Sequence, residues 1–275
     1  MNLISGEKLQ NLAEITIVFS DTIGDIEKRQ LPKLNNFILL ERGETIPDII
    51  KEAESIFIYT HDLEIFFDRI YKHLTKNITL LSHNSDHLVD SKFIKYLEED
   101  RITKWYCQNK VVNHPKLFSL PIGIANSMWP HGNQESIIKI RKNIKKNILV
   151  YKNFNIDTNT HERLLCNSIT DKNGIHMSAT YSNEVYWQNL NNSLFAISPP
   201  GNGIDCHRIW ESIALRCSPV VLKNKAFDQF NHLPILFVDS WDQVTPEYLQ
   251  SKVDLVKTFN FDIPELTVEY WRKII

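Results

Sequence analysis

One stretch limits the fold of this chain more than any other. Residues 194–222 read LFAISPPGNGIDCHRIWESIALRCSPVVL. The apolar run 194–198 predicts a short buried strand. Pro199-Pro200-Gly201-Asn202-Gly203 predicts a turn, because neither two prolines nor spaced glycines continue regular structure. Asp205 offers an N-cap, and 206–216 has helical spacing, with Ile209, Ile213 and Ala214 on one side. Cys217-Ser218-Pro219 stops that helix, and 220–222 starts the next strand. Strand, glycine turn, helix and strand make a βαβ unit. Its turn and helix N-terminus form a seat for an anion, since free backbone N–H groups and the helix dipole point there.

The polar residues of this helix sharpen the expectation. His207, Arg208 and Glu211 follow at spacings that let them project towards one edge. The arginine fork bonds two oxygens at once and suits a diphosphate. A carboxylate only accepts hydrogen bonds, so Glu211 one turn deeper suits paired ribose hydroxyls. On a plain surface helix the same two residues would be an Arg–Glu pair of small energetic weight.

At 275 residues, with 43% hydrophobic residues, the chain has material for two cores. Its 31 Lys+Arg and 33 Asp+Glu nearly cancel. That argues against general adhesion to nucleic acid or to membranes. The apolar stretch 9–19 is broken by Gln10, Asn11, Glu14 and Thr16, so it has neither signal-peptide nor transmembrane character. The expectation is a soluble, cytoplasmic protein with no membrane insertion. Cys107, Cys166, Cys206 and Cys217 are widely spaced, form no C-x-x-C pair and are expected as free thiols.

Along the chain, strands are expected at 15–19, 36–40, 56–59, 78–81, 102–107 and 117–120, with helices at 64–74 and 91–99. A basic helix, 135–146, reads as a connector. A second series follows: strand 147–151, helix 161–168, strand 175–179, helix 183–192 capped by Ser182, the opening βαβ unit, strand 235–238 and helix 247–259. The tail 264–275 reads as a returning helix. Apolar strand, polar loop and helix in repetition predict an α/β fold with parallel sheets. The domains are placed at 1–140, 141–260 and a tail at 261–275. In such sheets ligands bind beyond the carboxyl ends of the strands. The loops expected there are rich in functional side chains: His61 and Asp62, then 83–87, Gln108 and Asn109, and 126–131.

The segment 199–221 resembles the C-terminal signature of exostosin-like glycosyltransferases. Gly201, Asn202, Gly203, Asp205, His207, Arg208, Trp210 and Glu211 stand in the order of that signature. The likeness is specific over about thirty residues, weaker through 151–163, and only general in the first hundred. It implies a GT-B architecture: two Rossmann-like domains facing across a cleft, the first binding the acceptor and the second a nucleotide sugar. It also implies inversion at the anomeric carbon. Small soluble relatives in large algal viruses include a xylosyltransferase, so UDP-xylose is a donor the resemblance suggests. The expected partners are a nucleotide-sugar donor, with UDP favoured, and a glycan or glycoprotein acceptor.

Three tasks follow from such a transfer. The leaving diphosphate must be stabilised. Arg208, the backbone of Gly201–Gly203 with Asn202, the helix N-terminus and Arg163 are the candidates, although Arg163 alone also reads as a surface arginine. Glu211 is the candidate for the ribose. Tyr181 or Phe154 could stack the base, and both also read as core residues. An acceptor hydroxyl must give up its proton to a base. Asp86 and Asp62 lead, because a carboxylate is ionised at neutral pH, followed by His61 and His83. Asp62 also reads as a helix N-cap, Asp86 as a loop cap and Asp205 as the cap of its own helix. No Asp-x-Asp triplet occurs, so no metal is expected. A GDP-sugar-dependent, fucosyltransferase-like enzyme and a non-catalytic nucleotide- or carbohydrate-binding module are the alternatives. A dehydrogenase is disfavoured because no G-x-G-x-x-G follows the first strand.

Overall fold

Strands form where β-branched and aromatic residues run together. β1 (Ile15–Phe19) is such a run and is buried along its whole length. The computed structural model describes residues 1–143, 145–179 and 182–275. By their contacts these residues form two units, Ile4–Ile122 with Val268–Ile275, and Met1–Leu3 with Gly123–Thr267. The sequence had suggested a boundary at 140.

In the first unit, β2 (Phe37–Leu40), β3 (Ser55–Tyr59), β4 (Ile78–His83), β5 (Ile102–Cys107) and β6 (Leu117–Ser119) join β1. The sheet order is β2-β1-β3-β4-β5-β6, and every pairing is parallel. α1 (Gly6–Gln10), α2 (Asp25–Gln30), α3 (Asp48–Lys51), α4 (Leu63–Arg69) and α5 (Ile94–Leu97) lie between or before the strands. The core gathers Ile17, Phe19, Ile58, Phe66, Leu80 and Trp105 on one face of the sheet. The Trp105 indole donates to Ser82 Oγ at 2.8 Å, so the largest core side chain is also satisfied. Strand order reverses between β1 and β3, the place at which sheets of this kind bind ligands beyond their carboxyl ends.

The second unit has β7 (Ile148–Tyr151), β8 (Ser193–Ile197), β9 (Ser218–Leu222) and β10 (Leu236–Val238) in the order β10-β9-β8-β7, again all parallel. Its helices are α6 (Gln134–Arg141), α7 (Thr160–Lys172), α8 (Asn183–Asn192), α9 (His207–Ala214), α10 (Pro246–Ser251) and α11 (Val253–Thr258). Phe195, Ile197, Val220, Val238, Trp241 and Leu249 build its core. Lys152 directly follows β7. It is buried, and its ammonium reaches Asp171 Oδ1 (2.8 Å) and the carbonyls of Asn167 (3.2 Å) and Ile175 (2.8 Å). This one side chain binds the end of β7 to the end of α7. The chain ends in α12 (Val268–Ile274), which belongs to the first unit, where Tyr106 Oη donates to Ile274 O at 2.9 Å.

Several expected elements differ. Segment 175–179 is no strand; Ser178 N–H bonds the carbonyl of Lys152 without a ladder around it. The helix expected over 247–259 is two helices meeting at Lys252. The helix expected over 64–74 ends at Arg69, and Tyr71–His73 forms a 3-10 turn. α6 is shorter than 135–146, starting on an Asn133 cap and ending at Arg141. The guanidinium of Arg141 is drawn off to the carbonyl of Ala214, at the end of α9, and to Asp262.

The α/β layering of the first unit rests on its large aromatic core. Trp105→Ala is expected to cost about 3–5 kcal/mol, through lost burial and the cavity left behind. Chemical denaturation with urea measures this directly, and a loss below about 1 kcal/mol would contradict the packing described.

Candidate functional site

The carboxyl ends of β7 and β8 converge on one aromatic ring. Phe154, just after β7, is buried. Arg163, from the first turns of α7, places its guanidinium carbon 5.9 Å from the ring centroid, and Arg208, from the first turn of α9, places its own at 5.7 Å. Arg163 is 5% exposed and is fixed by two carbonyls, Nε donating to Pro200 O (2.9 Å) and Nη1 to Asn155 O (2.6 Å). Burial, and then the Arg208 charge beside it, push the Arg163 guanidinium below its ordinary pKa. Two like charges thus stand together, and the Nε of Arg208 is buried without a hydrogen-bond partner. A concentrated positive field of this kind suits a multiply charged anion.

Gly201 is required here by close approach. A Cβ on it would lie 3.0 Å from Arg163 Nη2 and 3.6 Å from Thr158 Cγ2. The Gly201 N–H is not free for an anion, because it already bonds Gly203 O at 3.0 Å. Its carbonyl accepts from Asn159 Nδ2 at 2.7 Å. The turn therefore positions Arg163 and is stiffened by its own hydrogen bonds. Asn202 is exposed and Gly203 buried.

Asp205 is not the N-cap. Cys206 occupies that position without a side-chain cap bond. Both carboxylate oxygens of Asp205 instead accept from the Trp210 indole, at 2.8 and 3.0 Å. His207 does not share the edge with Arg208 and Glu211, since its Nδ1 donates to Gly123 O at 2.8 Å. Phe154 carries guanidinium groups over its ring. Tyr181 lies outside the described residues.

Glu211 is 4% exposed, one turn further along α9. Its Oε2 accepts from the Tyr186 hydroxyl at 3.2 Å. Burial pushes the Glu211 carboxyl above the ordinary carboxylate range, and the Arg208 charge opposes that. Tyr186 is held protonated by burial and by the negative charge of Glu211. Tyr186 was not legible as a site residue. It sits on an ordinary amphipathic helix 25 positions before Glu211.

In the first unit, Asp62 and His61 lie directly after β3, beside the reversal of strand order. Asp62 is 1% exposed, and its Oδ1 is buried without a partner. Its Oδ2 is 3.7 Å from His61 Nε2, beyond hydrogen-bond range. Burial pushes the Asp62 carboxyl up, the Thr22 hydroxyl and His61 oppose this, and the carboxylates of Glu27 and Asp21 add to it. Asp62 occupies the N-cap position of α4, but its carboxylate caps nothing there. The His61 ring stacks on Tyr59 at 5.6 Å.

His83 is fully buried with both ring nitrogens engaged. Nε2 donates to Pro121 O (3.1 Å), and Nδ1 lies 3.0 Å from Asn84 Oδ1. Burial lowers its pKa. No ring nitrogen of His83 remains for a substrate. Asp86 is exposed on the loop after β4. Of the four candidate bases, Asp62 combines burial, an unpaired oxygen and a place at the strand-order reversal.

Among the described residues, no group of three or more His, Cys, Asp or Glu is arranged to hold a metal ion. No helix among them is long and apolar enough to cross a membrane. All four cysteines are free thiols. No model of a known protein family matches the chain, and no curated protein matches it.

The environment of Asp62 has a consequence for stability. Its folded pKa is raised, so between the unfolded value of about 4 and the folded value the native state keeps a proton that the unfolded chain has lost. Stability falls as pH rises through that window, and the penalty is complete above it. Asp62→Asn is therefore expected to raise the thermal midpoint at pH 7, with the gain fading below about pH 4. Thermal melts of both proteins across pH measure it; an equal or lower midpoint at pH 7 contradicts it.

Proposed function

We propose that the chain is an inverting glycosyltransferase that moves a sugar from a nucleotide sugar, a UDP-sugar in the first instance, to a glycan hydroxyl. The observation that carries this reading is the pair Arg163 and Arg208 over Phe154, with a buried carboxylate, Glu211, one turn beyond. Two fixed cations match the two charged groups of a diphosphate. An acceptor-only side chain beside them matches ribose hydroxyls. The site lies beyond the carboxyl ends of parallel strands, where α/β sheets bind ligands. A GT-B architecture, with the first unit as the acceptor unit, is part of the proposal.

The reaction is a single displacement. The acceptor oxygen forms a bond to the anomeric carbon while the bond from that carbon to the diphosphate oxygen breaks. Negative charge develops on the diphosphate, where Arg208 and Arg163 stabilise it more in the transition state than in the ground state. The acceptor proton passes to a carboxylate. Asp62 is the assignment, because its raised pKa makes it a stronger base than an exposed carboxylate while leaving an oxygen unpaired. The arginines supply the positive charge that a divalent cation supplies in other transferases, so the proposed transfer is independent of metal. UDP-xylose is the first donor to test.

Isothermal titration separates the parts. UDP is expected to bind more tightly than GDP. Arg208→Ala is expected to weaken UDP binding by about 2–4 kcal/mol, the scale of losing a buried charged partner. Glu211→Ala is expected to weaken UMP as well as UDP. Unchanged UDP affinity in both variants would refute the donor-site assignment. Sugar transfer, assayed with a panel of UDP-sugars and glycans, is expected to persist in excess EDTA. It is expected to fall by about a hundred-fold or more in Asp62→Asn, without loss of UDP binding. Loss of transfer in EDTA that Mn²⁺ restores would overturn metal independence, and full turnover in Asp62→Asn would remove Asp62 as the base.

A further inference from the structure

Arg208 and Glu211 are three residues apart on α9, a spacing at which opposite charges meet on a helix. Glu211 is buried and Arg208 half-buried with its Nε enclosed, an environment in which such a pair is drawn together. Yet no ion pair joins them among the described residues. Glu211 Oε2 is held by the Tyr186 hydroxyl from α8, at 3.2 Å. The Arg208 Nε is left buried and without a partner. The same Tyr186 hydroxyl lies against the Arg208 guanidinium.

We infer that Tyr186 is a positioning residue that holds the Glu211 carboxylate away from Arg208 and so keeps the anion site open. A phenol has one proton to donate and oxygen lone pairs to accept with. Here the proton goes to Glu211, which leaves only the acceptor lone pairs for the neighbouring Arg208. A neutral group thereby stands between a cation and an anion that would otherwise neutralise each other. Tyr186 keeps its proton, because burial and the Glu211 charge both oppose its loss. Its donor role is therefore constant across ordinary pH. Arg163 cannot substitute for Tyr186 as the spacer, because its Nε and Nη1 are tied to Pro200 O and Asn155 O. Without the hydroxyl, rotation about the Glu211 side chain closes the ion pair, and Arg208 no longer presents its charge to a ligand. The Cys206 thiol beside Arg208 does not replace the missing donor, since its single proton is directed to Pro199 O at 3.8 Å.

The inference rests on the donor-site reading only in its choice of ligand, an anion. Pyrophosphate is therefore the probe, because it carries neither nucleoside nor sugar. Its affinity is measured by isothermal titration on wild type, Tyr186→Phe, Glu211→Gln and the double variant, with thermal melts of each. Tyr186→Phe is expected to weaken pyrophosphate by about five-fold or more, while Glu211→Gln alone leaves it equal or tighter. In the Glu211→Gln background, Tyr186→Phe is expected to have no further effect, because no anion remains to be held off. Equal losses from Tyr186→Phe in both backgrounds, the signature of a merely structural role, would overturn the inference. So would unchanged affinity in Tyr186→Phe. Should Tyr186→Phe not fold, Glu211→Gln alone decides, and weaker pyrophosphate binding in it overturns the inference. Absence of pyrophosphate binding by wild type overturns both this inference and the donor site. The expected pattern with pyrophosphate, in a protein that neither binds UDP nor transfers sugar, overturns the proposed function alone.

Discussion

Two guanidinium groups over a single phenyl ring are the arrangement on which the second unit's site depends. Like charges repel, and burial strengthens that repulsion. The pair persists because Arg163 is bolted to the main chain at Pro200 and Asn155, and because the face of Phe154 attracts both cations. Those two carbonyls belong to the loops after β8 and β7. Arg163 therefore holds together the two loops that would contact a ligand. Gly201 is the point at which this arrangement leaves no room for a side chain. The turn, the ring and the arginine form one mechanical unit, and the absent partner of Arg208 Nε is the unmet demand within it.

The two buried carboxylates meet the same physical problem in different ways. Glu211 has its charge supported by a phenol and by a neighbouring guanidinium. Asp62 has one oxygen supported only weakly and the other not at all, with further carboxylates nearby. A carboxylate held by a donor is a still acceptor, which suits recognition. An unsupported one holds its proton more readily and so makes a better proton acceptor. In the proposed transfer, that contrast assigns recognition to Glu211 and proton transfer to Asp62.

Much of the fold was legible in the sequence because its strands are apolar, β-branched and bounded by polar loops. The expected 15–19 and 102–107 coincide with β1 and β5. The 175–179 segment failed because a short apolar run does not by itself make a ladder, and β7 takes no second neighbour from it. The site was half legible. Arg208 and Glu211 were found by helical spacing, but spacing does not show what stands between them. Tyr186 arrives from another helix, and the Asp205–Trp210 contact spends on a core indole a carboxylate that looked like a cap. The position of Asp62 was readable, whereas its unpaired oxygen depends on how completely the fold buries it, which has no local sequence signal.

The place of α12 sets a schedule for the chain. The first unit is closed by its last residues, with Ile274 accepting from Tyr106, while residues 123–267 are an insertion between its two parts. On a ribosome adding about 5–20 residues per second, the first unit waits roughly seven to thirty seconds between its sheet and the helix that completes it. Throughout that interval its sheet lacks the cover of α12, and the intervening unit, contiguous from Gly123 to Thr267, is the one able to finish first. The order of synthesis and the order of completion are thus reversed, and the surface that α12 will cover is the one a chaperone would meet during translation.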